Sequence, residues 1–168
     1  FDWSVVSVQA SRESRQPALT GNVEEQGTNL PTVRDPNAEA RMNALLQKDP
    51  SQSWEQIKTR TNLIFQQFQM AWSARDLAKM RPFMSDTLFN TQAYWVQAYL
   101  AQHLRNITEN AAISNIELAK VTSDAYFDAI TLRVHASSLD YTVDDAGKVV
   151  SGSRTKPRAY TEYWTLIR

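Results

Sequence analysis

The residues that could carry acid–base chemistry are two histidines and a few scattered carboxylates. His135 lies in an alternating stretch beside Arg133, not far along the chain from Asp128 and Asp140. One interpretation is a histidine–aspartate general base, and the other is a histidine that faces solvent from the polar side of a strand. His103 falls near the end of a predicted helix, where we interpret it as a surface or cap residue.

Sequence motifs for catalysis are missing from the chain. The four glycines never take the spacing of a phosphate loop, and neither HExxH nor GxSxG occurs. The chain has no cysteine, which excludes disulfides, thiolate zinc sites and thiol nucleophiles. We therefore expect no catalytic residue, no metal and no cofactor. The formal net charge of zero gives no support for nucleic acid as a partner.

A charged cluster of Arg75, Asp76 and Arg81 follows the longest helical pattern. These residues could anchor an anionic head group. We favour the simpler interpretation, in which Asp76 caps a turn and the arginines pair with nearby acids. Glu162 alternates with Trp164 on a face that we assign to the core, where an unpaired charge is costly. An ion pair is favoured there over a role in a pocket.

Three helices are predicted to position these residues. Within residues 54–84, apolar side chains recur at steps of three and four, which predicts a long amphipathic helix from about Pro50 to Ala74, with Gln52 as a capping-box partner. A shorter helix is predicted to open at Asp35 and Pro36. Ser85 is the expected N-cap of a third helix, which we predict to end at residues 105–106.

The period changes from 3.6 to 2 after residue 110, which predicts strands over residues 113–121, 125–143, 148–150 and 158–168. Residues 144–147 read as a turn and residues 151–157 as a loop. Helices followed by strands predict an α+β fold, with N-terminal helices packed on a curved antiparallel sheet of about four strands.

Large apolar side chains on these elements are expected to meet where the long helix crosses the sheet. Core packing explains most of them, but an aromatic-rich space between helix and sheet could also bind an apolar ligand. The predicted pocket-lining residues are Ile64, Phe65, Phe68, Trp72, Phe83, Phe89, Trp95, Tyr99, Leu132, Val134 and Trp164.

The composition divides the chain into three parts. Residues 1–9 are short and apolar, and we interpret them as an edge strand or the tail of a preceding module. Residues 10–34 have the composition of a linker. Residues 35–168 are expected to form the α+β domain, and the chain as a whole is interpreted as a fragment of a longer protein.

Three short motifs resemble the Tim44-like domain family, the C-terminal domain of a mitochondrial inner-membrane translocase subunit with bacterial relatives. They are Ala-Trp-x-x-Arg-Asp-Leu at 71–77, Arg-Pro-Phe-x-Ser-Asp at 81–86 and Glu-Tyr-Trp-Thr at 162–165. The resemblance covers about residues 36–168. It implies a cone-shaped fold similar to nuclear transport factor two, a large apolar pocket, a non-enzymatic role and a place at the membrane periphery.

These observations lead to one favoured function and two alternatives. We expect a non-catalytic binding or scaffold module of a larger, membrane-associated protein, with a pocket for a lipid, an acyl chain or a protein segment. A protein partner or a neighbouring domain of the same chain would bind it. The first alternative is a cavity enzyme, an isomerase or dehydratase, that uses His135, Asp128 or Glu162. The second is a self-assembly domain whose aromatic side chains meet another copy.

Overall fold

A computed structural model of the chain describes residues 2–10 and 28–168. Most of the predicted linker, 10–34, lies outside these described residues. The helices are α1 (Ala38–Lys48), α2 (Trp54–Ser73) and α3 (Asp86–Ala101), with a 3₁₀ helix at Ala78–Phe83 between the last two. The strands are β1 (Ser4–Ala10), β2 (Arg105–Ser123), β3 (Asp128–Val143) and β4 (Val149–Ile167).

The four strands form one antiparallel sheet in the order β1-β4-β3-β2. Strands β2, β3 and β4 follow one another as a meander, whereas β1 comes from the start of the chain and pairs with β4, with Val8 opposite Trp164. Helices packed on an antiparallel sheet of four strands confirm the predicted α+β class.

The core lies between α2 and the sheet. Ile57, Ile64 and Phe65 of α2 are buried, as are Leu132 and Trp164 on the strands. The Phe65 and Trp164 rings lie 6.2 Å apart between centroids. Each fully buried apolar side chain of this size stabilises the fold by about 1.5–3 kcal/mol. The stripe seen in the sequence of α2 is therefore the surface that joins the helix to the sheet.

The start of α2 differs from the prediction. The helix begins at Trp54, because the hydroxyl of Ser53 accepts a hydrogen bond from the backbone N–H of Gln56 at 3.1 Å and caps it. The predicted start near Pro50, with Gln52 as capping partner, is wrong. Asp49 instead forms a turn of its own, and hydrogen bonds from Ser51 and Arg168 hold the pKa of its carboxyl down at about 2.

The predicted start of the first helix is also early, because Asp35 makes a turn before α1 rather than capping it. Its carboxylate accepts from the backbone N–H of Asn37 at 2.9 Å, and α1 begins at Ala38. The predicted N-cap of α3 does occur, since Ser85 Oγ accepts from the N–H of Leu88 at 3.2 Å.

Helix α3 ends at Ala101 and not at residues 105–106 as predicted. His103 adopts a left-handed backbone, with φ of 57°, which turns the chain out of the helix and into β2. Asn106, expected to close the helix, belongs to β2, where its side chain donates to Asp140 at 2.9 Å and to Thr142 at 3.1 Å.

Strand β4 is continuous where two strands and a loop were predicted. The prediction of a loop over residues 151–157 is wrong, but the polar composition of these residues coincides with a bulge in the strand. Asp140 faces Ser153 while Ser138 faces Arg158, so residues 154–157 have only Leu139 opposite them. Strand β2 is irregular too, with three register shifts along its pairing with β3, and β1 has one along its pairing with β4.

Residues 28–34, which we call the strap, lie on the face of the sheet that points away from α2. The guanidinium of Arg133, only 2% exposed, donates to the carbonyl of Leu30 and to the hydroxyl of Thr32. The Tyr163 hydroxyl accepts from the N–H of Val33 at 2.9 Å. This part of the predicted linker is therefore held on the sheet by side-chain hydrogen bonds to its backbone.

Candidate binding cavity

Two adjoining cavities lie between the helices and the sheet. The inner chamber has a volume of about 120 Å³. The outer chamber has a volume of about 250 Å³. Phe68, Gln69, Gln92 and Glu162 line both, so the chambers meet at these four residues. The inner chamber is also lined by Val5, Val8, Ile64, Met84, Leu88 and Trp164, and the outer one by Trp72, Asn106, Thr108, Ser138, Asp140, Arg158 and Tyr160.

The inner chamber is built where the first strand, two helices and the last strand converge. The backbone N–H of Ser85, which precedes α3, donates to the carbonyl of Val5 at 2.9 Å and holds the start of α3 against β1. Trp164 lies on its sheet side and is 3% exposed. Its indole Nε1 has no hydrogen-bond partner among the described residues. The chamber is thus apolar apart from Glu162, two glutamine side chains and this buried donor.

A chain of hydrogen bonds fixes the polar wall of the outer chamber. Trp72 Nε1 donates to Asn106 Oδ1 at 2.8 Å, and Asn106 donates in turn to Asp140 at 2.9 Å. Arg158 Nη1 lies 2.9 Å from the other oxygen of Asp140, and both side chains are largely buried. Because each member is held by its neighbours, this wall is set in place before any ligand arrives.

Three charged side chains are among the described residues that line the outer chamber. Asp140 and Glu162 are both carboxylates, and Arg158 is the cation among the described lining residues. Burial raises the pKa of the Tyr160 hydroxyl, and the charge of Glu162 raises it further, against a smaller opposing effect of Arg158. Burial and the charge of Asp140 likewise raise the pKa of Tyr99. Both phenols therefore remain neutral hydrogen-bonding groups.

Comparison with protein families decides what kind of domain this is. The family model described as Tim44-like domain matches residues 38–168, from the first residue of α1 to the end of β4. The chain belongs to the Tim44-like family. A search among curated proteins found no match. Strand β1 and the strap precede the matched residues, so two parts that contact the sheet lie outside the family match.

Tim44-like domains are in general non-catalytic modules that bind protein or membrane partners, and the family is associated with the periphery of the mitochondrial inner membrane. In residues 2–10 and 28–168 of this Tim44-like chain, every helix is too short or too polar to cross a bilayer. Across the same residues, no three His, Asp or Glu side chains come close enough to hold a metal ion.

The predicted pocket residues of this Tim44-like domain fall into three groups. Ile64, Phe68, Trp72 and Trp164 line the chambers, whereas Phe65, Leu132 and Val134 are buried in the core. The remaining four pack elsewhere on the helices: Tyr99 edge-on against Trp72 at 5.9 Å, Phe83 under Arg60, Phe89 under Arg81, and Trp95 against Tyr94.

Trp95 lines neither chamber, and it is 51% exposed. Leu88, Gln92 and Trp95 are spaced by four and then three residues, so they share one side of α3. Leu88 and Gln92 line the inner chamber, whereas Trp95 lies farther along the helix and packs against Tyr94. Sequence reasoning also missed the glutamines and the polar wall of Asn106, Asp140 and Arg158. The sequence marked these residues only as polar side chains that interrupt otherwise apolar stripes.

The charged corner after α2 serves the fold. Asp76 Oδ1 accepts from the backbone N–H of Ala78 at 3.3 Å, at the start of the 3₁₀ helix. Arg81 pairs with Asp86 at 2.9 Å. Arg75 does not follow the prediction that it pairs with an acid, because its guanidinium donates to the carbonyl of Leu104 at 3.2 Å and ties the corner to the start of β2.

The residues proposed for acid–base chemistry are not brought together. His135 Nε2 lies 2.9 Å from Glu117, beneath the strap, and not beside Asp128 or Asp140. Hydrogen bonds from Thr32 and then His135 lower the pKa of Glu117. Of the three residues named for a cavity enzyme, Glu162 alone lines a chamber among the described residues.

His103 and Asp128 also have partners away from the chambers. His103 Nδ1 lies 3.1 Å from Asp145 at an exposed turn, just beyond α3 and not within it as predicted. Asp128 accepts a hydrogen bond from Ser123 across the β2–β3 hairpin and lies 3.9 Å from Arg168. Both residues therefore stabilise turns or strand ends.

Proposed function

We propose that this Tim44-like domain is a non-catalytic module that binds a short segment of a protein partner in the inner and outer chambers. The observation that carries the proposal is the inner chamber itself, which is lined by Trp164, a residue whose buried indole N–H has no hydrogen-bond partner among the described residues. A buried donor left unpaired costs about 1–3 kcal/mol. A backbone carbonyl of an inserted segment supplies the missing acceptor, whereas the methylenes of an acyl chain cannot.

The size of the inner chamber supports the same choice. Its volume of about 120 Å³ falls well below the ~300–1,000 Å³ of typical small-molecule pockets. One branched aliphatic side chain fits the inner chamber, whereas a long acyl chain would also have to enter the outer chamber, whose wall is polar. Of the three ligands expected from the sequence, a protein segment is therefore favoured over a lipid or an acyl chain.

The outer chamber provides what a polypeptide requires next to such an anchor. Gln69, Gln92 and Asn106 carry amide groups that can both donate to and accept from a peptide backbone. The hydrogen-bonded wall from Trp72 to Arg158 holds its groups in place, which lowers the entropy lost on binding. An apolar anchor surrounded by a few fixed polar groups is the usual composition of a specific site.

Selection from a random peptide library displayed on phage tests this proposal. Gln92 lies where the two chambers meet, and Gln97 lies on the exposed side of the same helix. We expect selected peptides to bind the wild type and Gln97→Trp equally, and Gln92→Trp at least tenfold more weakly, because the new indole fills the junction. Peptides that bind all three proteins alike, or a library that yields no binder, would contradict the proposal.

A second variant tests the hydrogen bond itself. Trp164→Phe keeps an aromatic ring in the core and removes the unpaired donor. We expect the removed volume to cost about 1 kcal/mol of stability, offset in part because an unpaired donor is removed as well, while the affinity for a selected peptide falls about fivefold to tenfold. Isothermal titration calorimetry measures the affinity and urea unfolding the stability. Unchanged peptide affinity in Trp164→Phe would remove the indole from the binding site.

A further inference from the structure

We propose that the segment bound in the two chambers contains a proline next to the aliphatic residue that fills the inner chamber. This inference rests on the proposed function and adds the chemical class of the partner. Its basis is an imbalance between the hydrogen-bonding groups that face the chambers. The groups without a partner among the described residues are mainly N–H donors, whereas the acceptors are mainly engaged. A segment that fits must therefore offer carbonyl oxygens and few N–H groups.

Three side chains supply the donors. The buried indole N–H of Trp164 has no acceptor among the described residues. Gln69 uses its carbonyl oxygen to accept from the Thr108 hydroxyl at 2.8 Å, so the N–H groups of its amide remain available. Gln92 lines both chambers, and its amide forms no hydrogen bond with a described residue. Donors therefore outnumber acceptors among the groups that a bound segment would meet at the junction.

The acceptors of the outer chamber are already in use. Asp140 accepts from Asn106 at 2.9 Å and lies 2.9 Å from the Arg158 guanidinium. The carbonyl oxygen of the Asn106 amide accepts from Trp72 Nε1 at 2.8 Å. Glu162 also interacts with another group of the molecule. A peptide N–H that entered between these groups would compete with existing interactions or stay unpaired, and an unpaired buried donor is costly.

Proline meets these requirements better than the other residues. It has a carbonyl group but no backbone N–H, so it brings an acceptor to the available donors and adds no donor of its own. Proline-containing segments bind in grooves that aromatic side chains line, and Phe68, Trp72 and Tyr160 line the outer chamber. Because proline fixes its own backbone angle before binding, the segment loses less entropy when it binds.

The experiment uses short synthetic peptides that differ at one residue. The probes are acetylated, amidated tetrapeptides Gly-Leu-X-Gly and Gly-X-Leu-Gly, in which X is proline, N-methylalanine or alanine. Of the three, only alanine carries a backbone N–H. The indole N–H signals of Trp72 and Trp164, followed by nitrogen-15 NMR during titration, report binding in the outer and inner chambers respectively. In at least one of the two orders, we expect the proline peptide to bind at least tenfold more tightly than the alanine peptide. N-methylalanine should lie between them, because it lacks both the N–H and the ring.

A substitution that adds an acceptor at the junction should remove the preference. Gln92→Glu replaces the amide donors with carboxylate oxygens, which can accept from the N–H of the alanine peptide. We expect the ratio of proline to alanine affinity to fall below about threefold in this variant. Gln97→Glu adds the same charge on the exposed side of the same helix, so it is the matched control and should behave as wild type. The NMR spectrum of each variant shows that it is folded.

The outcomes separate this inference from the function on which it rests. If no peptide shifts either indole signal, the proposed function fails and the inference fails with it. If the peptides shift both signals but alanine binds as tightly as proline, the binding function stands and the proline-containing partner is ruled out. An N-methylalanine peptide that binds no better than the alanine peptide, or a Gln92→Glu variant that keeps the full preference, would also overturn the inference, because the missing N–H would then not be what the site selects.

Discussion

Replacement of Trp3 by alanine tests whether the domain extends beyond the residues that match the family. Trp3 precedes the match by 35 positions in the chain, yet its side chain is 1% exposed. Its indole Nε1 donates to Gln52 at 3.2 Å, its carbonyl accepts from Arg60 at 3.1 Å, and the Arg168 guanidinium lies 5.5 Å from its ring centroid. The residue thus joins β1 to α2 and to the C-terminal strand end.

The cost of Trp3→Ala follows from these contacts. Truncation of a buried tryptophan to alanine costs about 3–5 kcal/mol, and the cation–π contact with Arg168 lies within that range rather than adding to it. A domain of this size has about 5–15 kcal/mol of stability, so the variant should lose a large fraction of it. Since 1 kcal/mol shifts the melting temperature by roughly 2–4 °C at this length, we expect a decrease of about 6–20 °C.

Urea unfolding followed by circular dichroism measures this loss, and Trp95→Ala is the matched control. Trp95 is 51% exposed and lies outside the core, so its truncation should cost at most about 1 kcal/mol. If Trp3→Ala cost no more than Trp95→Ala, the reasoning would be refuted. Strand β1 would then be an appendage, and the folding unit would begin near α1.

Three further predictions concern single groups. Arg133→Lys should lower the free energy of unfolding by about 2–3 kcal/mol in urea and speed up hydrogen exchange of the strap, because one ammonium cannot replace a forked guanidinium. The control is Arg154→Lys at an exposed position, which should cost under about 0.5 kcal/mol. A Cβ at Gly152 would lie 2.2 Å from the Asp140 carbonyl oxygen, whereas a Cβ at Gly147 would meet nothing. Gly147→Ala should therefore cost only the ~1–2 kcal/mol of a left-handed backbone, and Gly152→Ala should cost clearly more. Equal losses of stability would contradict this. Asp49 has its pKa lowered to about 2 in the folded state, so its contribution to stability is present above the ordinary value of 3.8 and is lost as pH falls to about 2. Asp49→Asn should therefore be less stable than wild type at pH 5, and the difference should shrink as pH falls from 3.8 through about 2. A difference that stays the same over this range would contradict the assignment.

The overall architecture could be predicted because the patterns that encode it are local. The apolar stripe of α2 and the alternation of Ile130, Leu132 and Val134 in β3 each arise from the geometry of a single element. Cap positions were harder, since Ser53 and Asp49 both carry the right side chain and the backbone decides between them. His103 gave no warning that it would adopt a left-handed backbone and end α3 early.

The cavity could be predicted only in part, because its lining depends on contacts between distant segments. Val5 and Val8 reach the inner chamber through the pairing of β1 with β4, which joins opposite ends of the chain. The burial of Arg133 results from the strap, whose composition resembled a linker. No local period in a sequence records which segment will cover which face.

The register shifts of β1 and β2 have a consequence for how copies of the protein meet. These two strands form the margins of the sheet, and a long, straight margin is the usual template for intermolecular growth into fibrils. Bulges bend such a margin and interrupt its row of backbone groups. The domain can therefore be held at high local concentration without polymerising through its backbone, and recognition is left to side chains.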